Sequence, residues 1–131
     1  MNLTYLFAQA NPIPAHALVA GVSVLLGGWQ LYAQKGDQMH RYLGYVWVLG
    51  MTYVCCSSFW IHTIHTFSVF SFLHVLTCLF LVCLYRGIRA AQQNNMATHQ
   101  KTMQRLYWLG VVITSSFTFL PDRTMYQVFF R

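Results

Sequence analysis

Long apolar runs alternate with short polar stretches along this chain, and the pattern predicts four membrane-spanning helices. The first run covers residues 14–32, with Pro12 and Pro14 at its start, where a missing N–H costs a helix little. The second covers 42–61, the third begins at Ser71, and the fourth begins near Leu106 and is ended by Pro121. Counted by strictly apolar residues, the last two are short for a bilayer. Arg86 and Arg89 can snorkel along an extended third helix, and residues 99–105 can form the wet first turns of the fourth. The predicted spans are therefore 14–32, 42–61, 71–89 and 101–120.

Composition supports the same solvent. Of 131 residues, 56% are hydrophobic, 17% aromatic and 8% charged, against roughly a quarter charged in a soluble domain. Nearly every residue then lies in a span or a connection, so the chain reads as one transmembrane domain over 1–131. The fold class expected is an all-α integral membrane four-helix bundle built as two tandem hairpins. Residues 1–10 lack both a basic start and a long apolar segment, so the first span is expected to do the targeting. Tyr5, Leu6 and Phe7 are expected on the membrane surface, against a neighbouring subunit, or in an unstructured tail.

Charge gives the orientation. Lys35, Arg41, Arg86, Arg89, Lys101 and Arg105 fall at the ends joined by the first and third connections, whereas the opposite face holds only Arg123 and Arg131. The crowded face should be cytoplasmic, which puts both termini and the connection containing His62 and His65 on the periplasmic or outer side of a bacterial inner (cytoplasmic) membrane. The net charge of +6 is this topological signal, with contact to anionic headgroups, and not a nucleic-acid footprint.

The histidines repeat. His16 and His40 are 24 residues apart, His74 and His99 are 25 apart, and 24 helical residues cover about 36 Å, roughly one bilayer crossing. Adding 58 to the numbering carries His16 to His74 and Ser57-Ser58-Phe59 to Ser115-Ser116-Phe117; His40 reaches His99 with one extra residue, assigned to the connection. Two hairpins in the same orientation would be related by an axis along the membrane normal. That axis sets His16 near His74 at one face, and His40 near His99 at the other.

Imidazoles projecting inward from different helices can hold a haem iron axially. His16, His74, His40 and His99 are therefore the candidate ligands for one or two b-type haems, as in the layout of four-helix di-haem cytochromes. Arg41 and Arg105 are the candidates to pair a propionate or a quinone oxygen. The competing explanation is interfacial placement, since His, Trp and Tyr all collect where one end of a ring meets water. Copper is a further alternative, because Met39, His40, Met96, His99 and Met103 combine thioether and imidazole, with His99 and Met103 at i, i+4. His62 and His65 share a face if their stretch is helical, and exposed interfacial histidines are the simpler account.

Other chemistries are poorly supplied. Cys55, Cys56, Cys78 and Cys83 form no CxxC or CxxCH motif and are expected to be buried, reduced and structural. Asp37 and Asp122 are the only acids, which disfavours paired carboxylates and a Ser-His-Asp set. The paired serines, with Gly21, Gly27, Gly28, Gly44, Gly50 and Gly110, read as helix-packing residues or as room for a flat macrocycle. Mid-span positions are apolar apart from Thr52, Thr77 and Thr114, which argues against transport.

Residues 35–41 are the most specific stretch. Gly36 and Asp37 suit a tight turn, and His40 and Arg41 open the second helix. Lys35-Gly36, then His40-Arg41-x-x-Gly44, Met51, His74, His99-x-x-x-Met103 and Leu120-Pro121-x-Arg123 resemble an uncharacterised bacterial family of predicted four-helix integral membrane proteins, a domain of unknown function. The resemblance covers nearly all of the chain from His16 to Arg123. It implies a four-helix integral membrane protein and supplies neither substrate nor reaction. Gln93-Asn94-Asn95 stand where the family carries a more charged turn, a difference expected to leave the histidines unaffected.

Three classes of function follow. The first is a haem-bearing electron-transfer protein acting between quinone and a partner complex. The second is an accessory subunit of a larger respiratory or photosynthetic membrane complex, with Trp29, Trp47, Trp60 and Trp108 at lipid or subunit interfaces. The third is a copper-binding or metal-delivery factor.

Overall fold

A computed structural model describes residues 3–9, 11–61, 67–112, 116 and 124–130, and these are helices joined by short turns. Helix α1 spans Leu3–Phe7, α2 Ile13–Tyr32, α3 Gln38–Ile61, α4 Phe67–Gln92 and α5 Met96–Arg105. Without a break α5 runs into a π-helical segment, Leu106–Val112, and α6 spans Thr124–Phe130. Among the described residues three helices, α2, α3 and α4, are long and apolar enough to cross a membrane. The predicted fourth span corresponds to α5 and its π-helical continuation; residues 113–115 and 117–120 lie outside the described ones.

The apolar surface faces outward. In the apolar stretches of α2, α3 and α4 only 17%, 22% and 17% of residues are buried, and Leu25 is 76% exposed. Water would not tolerate such a surface, whereas lipid covers it.

Both turns follow from their residues. After α2 the chain extends at Ala33, reverses at Gly36 (φ +86°), and starts α3 at Asp37, whose Oδ1 accepts the His40 backbone N–H at 2.7 Å. After α4 it reverses at Asn94 (φ 58°) and starts α5 at Asn95, whose side chain accepts the Thr98 backbone N–H at 3.3 Å. Left-handed backbone favours glycine first and asparagine next, and a short polar side chain satisfies the orphan N–H groups of a helix start. Gly36 and Asn94, like Asp37 and Asn95, are 58 residues apart. The repeat thus holds through the connection, which corrects the expectation that the extra residue enters there: it enters the first helical turn. His40 is the third residue after its cap and His99 the fourth.

Two hairpins, α2 with α3 and α4 with α5, close on each other around Trp47, Met51, Leu84, Leu106, Tyr107 and Val111. Small residues permit the approach. A methyl at Gly27 would lie 2.6 Å from Trp47 Nε1 and 2.8 Å from Tyr107 Cδ2 and Cε2, and one at Gly28 would lie 2.9 Å from the Tyr107 hydroxyl. In that notch the Trp47 indole N–H donates to the Ser23 carbonyl and the Tyr107 hydroxyl to the Val24 carbonyl, each at 2.9 Å. The π-helical segment turns Leu106, Tyr107 and Val111 inward, with Gly110 seated against Phe80.

Residues 3–7 form a helix and not an unstructured tail, with Leu3 and Phe7 exposed. Helix α1 packs on α6 and α2, with Leu6 and Val128 buried. The cysteines also differ from expectation, because α3 and α4 turn most of their surface outward: Cys55 is buried and Cys83 half-buried, whereas Cys56 and Cys78 are exposed.

Candidate functional site

The caps fix where His40 and His99 sit. Asp37 starts α3 beside the C-terminal end of α2, and Asn95 starts α5 beside the C-terminal end of α4, so both first turns face the same end of the molecule. There the His40 and His99 rings meet, with centroids 6.5 Å apart and planes at 89°. This is the pairing that the 58-residue repeat implied.

Hydrogen bonds define the state of each ring. His99 Nδ1 lies 2.9 Å from the Gly87 carbonyl oxygen, an acceptor only, so Nδ1 carries a proton. His40 reaches the same state through Gln30 on α2. The Gln30 amide N–H donates to the His40 carbonyl at 3.0 Å, which turns Oε1 toward His40 Nδ1, also at 3.0 Å. An amide oxygen only accepts, so His40 Nδ1 is the donor.

Some 26 Å farther along α3, at 1.5 Å per residue, lies the second level. His16, in the first turn of α2, places Nδ1 2.7 Å from the Ser57 hydroxyl oxygen, while that oxygen also lies 3.1 Å from the Val54 carbonyl oxygen. The tautomer of His16 decides whether the ring or the hydroxyl donates in the shorter contact. His74 of α4 lies against Phe59, with ring centroids 4.6 Å apart at 56°. Ser57 and Phe59 are two residues apart on α3, about 200° around the helix, so His16 and His74 meet α3 on different faces and are not brought together as His40 and His99 are.

The remaining candidates are distributed differently. Arg41 and Arg105 are exposed, one in the first turn of α3 and the other at the end of α5. Met39 and Met96 are exposed, and Met103 fills the space above Gly87, where an added methyl would lie 2.8 Å from its terminal carbon. Met39 and His40 line a cleft of about 200 Å³ together with Trp29, Gln30, Gln34 and Asp37. Among the described residues no group of three or more His, Cys, Asp or Glu side chains could hold a metal ion. His62 and His65 lie outside the described residues.

Gln30, Ser57 and the Gly87 carbonyl escape the motif pattern. Gln30 had a visible signal, the only side-chain amide in a mostly apolar helix. Ser57 looked like a packing residue, and a backbone carbonyl leaves no trace in sequence.

An all-helical chain with three apolar helices of membrane-crossing length and histidines at both ends of them is a membrane protein. Residues 13–129 match the family described as Predicted membrane protein (DUF2306), and the chain belongs to it. No curated protein and no solved structure matches the chain.

Proposed function

We propose that this chain is a multi-pass b-type electron-transfer protein of an inner (cytoplasmic) membrane. It is a four-helix bundle of two tandem hairpins with both termini on the outer side, exchanging electrons with quinone or a partner redox complex. His40 and His99 would hold a haem iron at one level, whereas His16 and His74 contact different faces of α3 and support a second centre less well. Arg41 and Arg105 are on hand at the inner face for a propionate or a quinone oxygen. The group supplies reversible one-electron chemistry when bound.

The convergence of His40 and His99 carries this reading. The His40 and His99 ring centroids are 6.5 Å apart, near enough for both rings to reach one bound metal centre. Both Nδ1–H groups are held by carbonyl oxygens. That arrangement orients a ligating histidine and raises its basicity. Interfacial placement alone accounts for neither the pairing nor the matching tautomers. Copper is less well supported, because Met39 and Met96 are exposed and Met103 is committed to packing on α4.

Reduced-minus-oxidised visible spectra of protein purified under haem-retaining conditions test the proposal. Soret and α-band absorbance is expected, diminished in His40→Ala and His99→Ala alike. A spectrum without either band overturns it and leaves a cofactor-free accessory subunit.

A further inference from the structure

We propose that the seam between α2 and α3 is a quinone site, with the ring seated in the cleft beside His40 and the isoprenoid tail laid along an apolar groove that continues from it. The inference deepens the electron-transfer reading above by naming where the quinone docks, and it rests on that reading for its purpose, although binding is measurable without haem.

Two hollows lie on this seam. One is the cleft of about 200 Å³ that holds Trp29, Gln30, Gln34, Asp37, Met39 and His40. The other, of about 240 Å³, is lined by Leu18, Val22, Leu26, Val46 and Gly50, with Ser23. Ser23 is buried, and a methyl added at Gly50 would lie 2.8 Å from its Oγ, so the two helices touch there and close the groove from behind. Helical periodicity joins the hollows. On α2, Leu18, Val22, Leu26, Trp29 and Ala33 follow one another at spacings of three or four residues and form one stripe. On α3, Gly50, Val46, Leu43 and Met39 do the same. Small-molecule sites begin at about 300 Å³, a size that neither hollow reaches alone and the joined pair exceeds. From Leu18 to Gln34 the stripe runs about 24 Å, most of the roughly 30 Å hydrocarbon core.

The chemistry of the two halves selects the occupant. One half offers amides, a carboxylate, an imidazole and an indole, and the other offers aliphatic side chains, so the seam suits a molecule with a polar head and a long apolar tail. A phospholipid head fits poorly. Among the described residues neither Arg nor Lys lines the cleft, Asp37 puts a negative charge in it, and Lys35 Nζ donates to the Leu31 and Ala33 carbonyls. A neutral, flat, hydrogen-bonding ring fits well. Trp29 is exposed and presents an indole face for stacking, the Gln34 amide can donate to a quinone oxygen, and the Asp37 carboxylate can accept from a quinol hydroxyl. His40 belongs to the same wall and meets His99, so a quinone seated there adjoins the proposed redox centre.

The test uses the full chain with fluorotryptophan in phosphatidylcholine nanodiscs, titrated with ubiquinone carrying a four-unit isoprenoid tail and with its tail-free benzoquinone counterpart, and read by ¹⁹F NMR. The Trp29 resonance, assigned by its loss in Trp29→Phe, is expected to shift saturably, while that of Trp60, toward the other end of α3, stays in place. Gln34→Leu should weaken binding of both quinones about 2–10-fold, the worth of one hydrogen bond. Val46→Phe fills the groove and should weaken the tailed quinone alone. A shift that grows without saturating, or that moves Trp29 and Trp60 alike, would mean quinone dissolved in the bilayer only and overturns the proposal. Displacement of the quinone by added phosphatidylglycerol overturns it in favour of a phospholipid site. Saturable binding in a protein with no haem bands would support the quinone site while overturning the cytochrome reading, and haem bands without saturable binding would do the reverse.

Discussion

Gly27→Ala tests the packing that brings the two hairpins together. The added methyl would lie 2.6 Å from Trp47 Nε1 and 2.8 Å from two Tyr107 ring carbons, whereas ordinary contact begins near about 3.5 Å, so the helices must part by roughly 0.8 Å. Neither ring can swing away cheaply, because Trp47 is tied to the Ser23 carbonyl and Tyr107 to the Val24 carbonyl. Overpacking of this kind costs about 1–3 kcal/mol, and weakening two interhelical hydrogen bonds in a membrane adds about 0.6 kcal/mol each. Gly21→Ala is the control, since a methyl there meets nothing within 4 Å. Both changes carry the same helix-propensity gain, so their difference isolates the notch at about 2–4 kcal/mol. Reversible unfolding in mixed micelles with rising SDS fraction measures it. Equal midpoints for the two variants would show that Gly27 does not set the approach.

Three further outcomes are expected from the same unfolding assay. Tyr107→Phe should cost about 0.5–1 kcal/mol, because the Val24 carbonyl loses only its second donor; no change would mean that the phenol bond carries no net weight. Gly36→Ala should cost about 1–2 kcal/mol at φ +86°, while Asn94→Gly should be neutral or stabilising; a reversed order would contradict the assigned turns. Asp37→Ala should cost about 1 kcal/mol and perturb the His40 ¹⁵N signals, whereas Asp37→Asn should restore both; an undisturbed His40 signal would separate the cap from the site.

Hydrophobicity located the first three helices but not their ends. The second span was expected from Tyr42, yet α3 starts at Gln38, because Asp37 caps a polar first turn that an apolar count passes over. The same device starts α5 at Met96, well before the expected start of the fourth span at 101, since Asn95 caps a turn made of polar residues. Helix α1 was not legible: five residues cannot hold a helix alone, and its stability comes from α6 and α2, far away in sequence or across a turn. The histidine pairing was legible because the repeat put two residues of one type at matched depths. Their orienting partners were not, because a hydrogen-bond acceptor can be an amide or the backbone itself.

The single misfit in the repeat explains why those acceptors differ. Turn residues Gly36 and Asn94, caps Asp37 and Asn95, and histidines His16 and His74 all keep the 58-residue offset, but the residue matching His40 is Thr98. His99 is one position later, a rotation of about 100° around α5. In the first hairpin the preceding helix reaches His40 with a side chain, Gln30. In the second, the rotated ring lies directly on the backbone of α4, where Gly87 has no side chain and where Met103, four residues after His99 and on the same face, also seats. Each hairpin thus holds the histidine in the first turn of its second helix by the helix that precedes it, through a carbonyl oxygen in both cases. A duplication selected only for hydrophobic thickness would have no need to preserve that chemistry while changing the residue that supplies it.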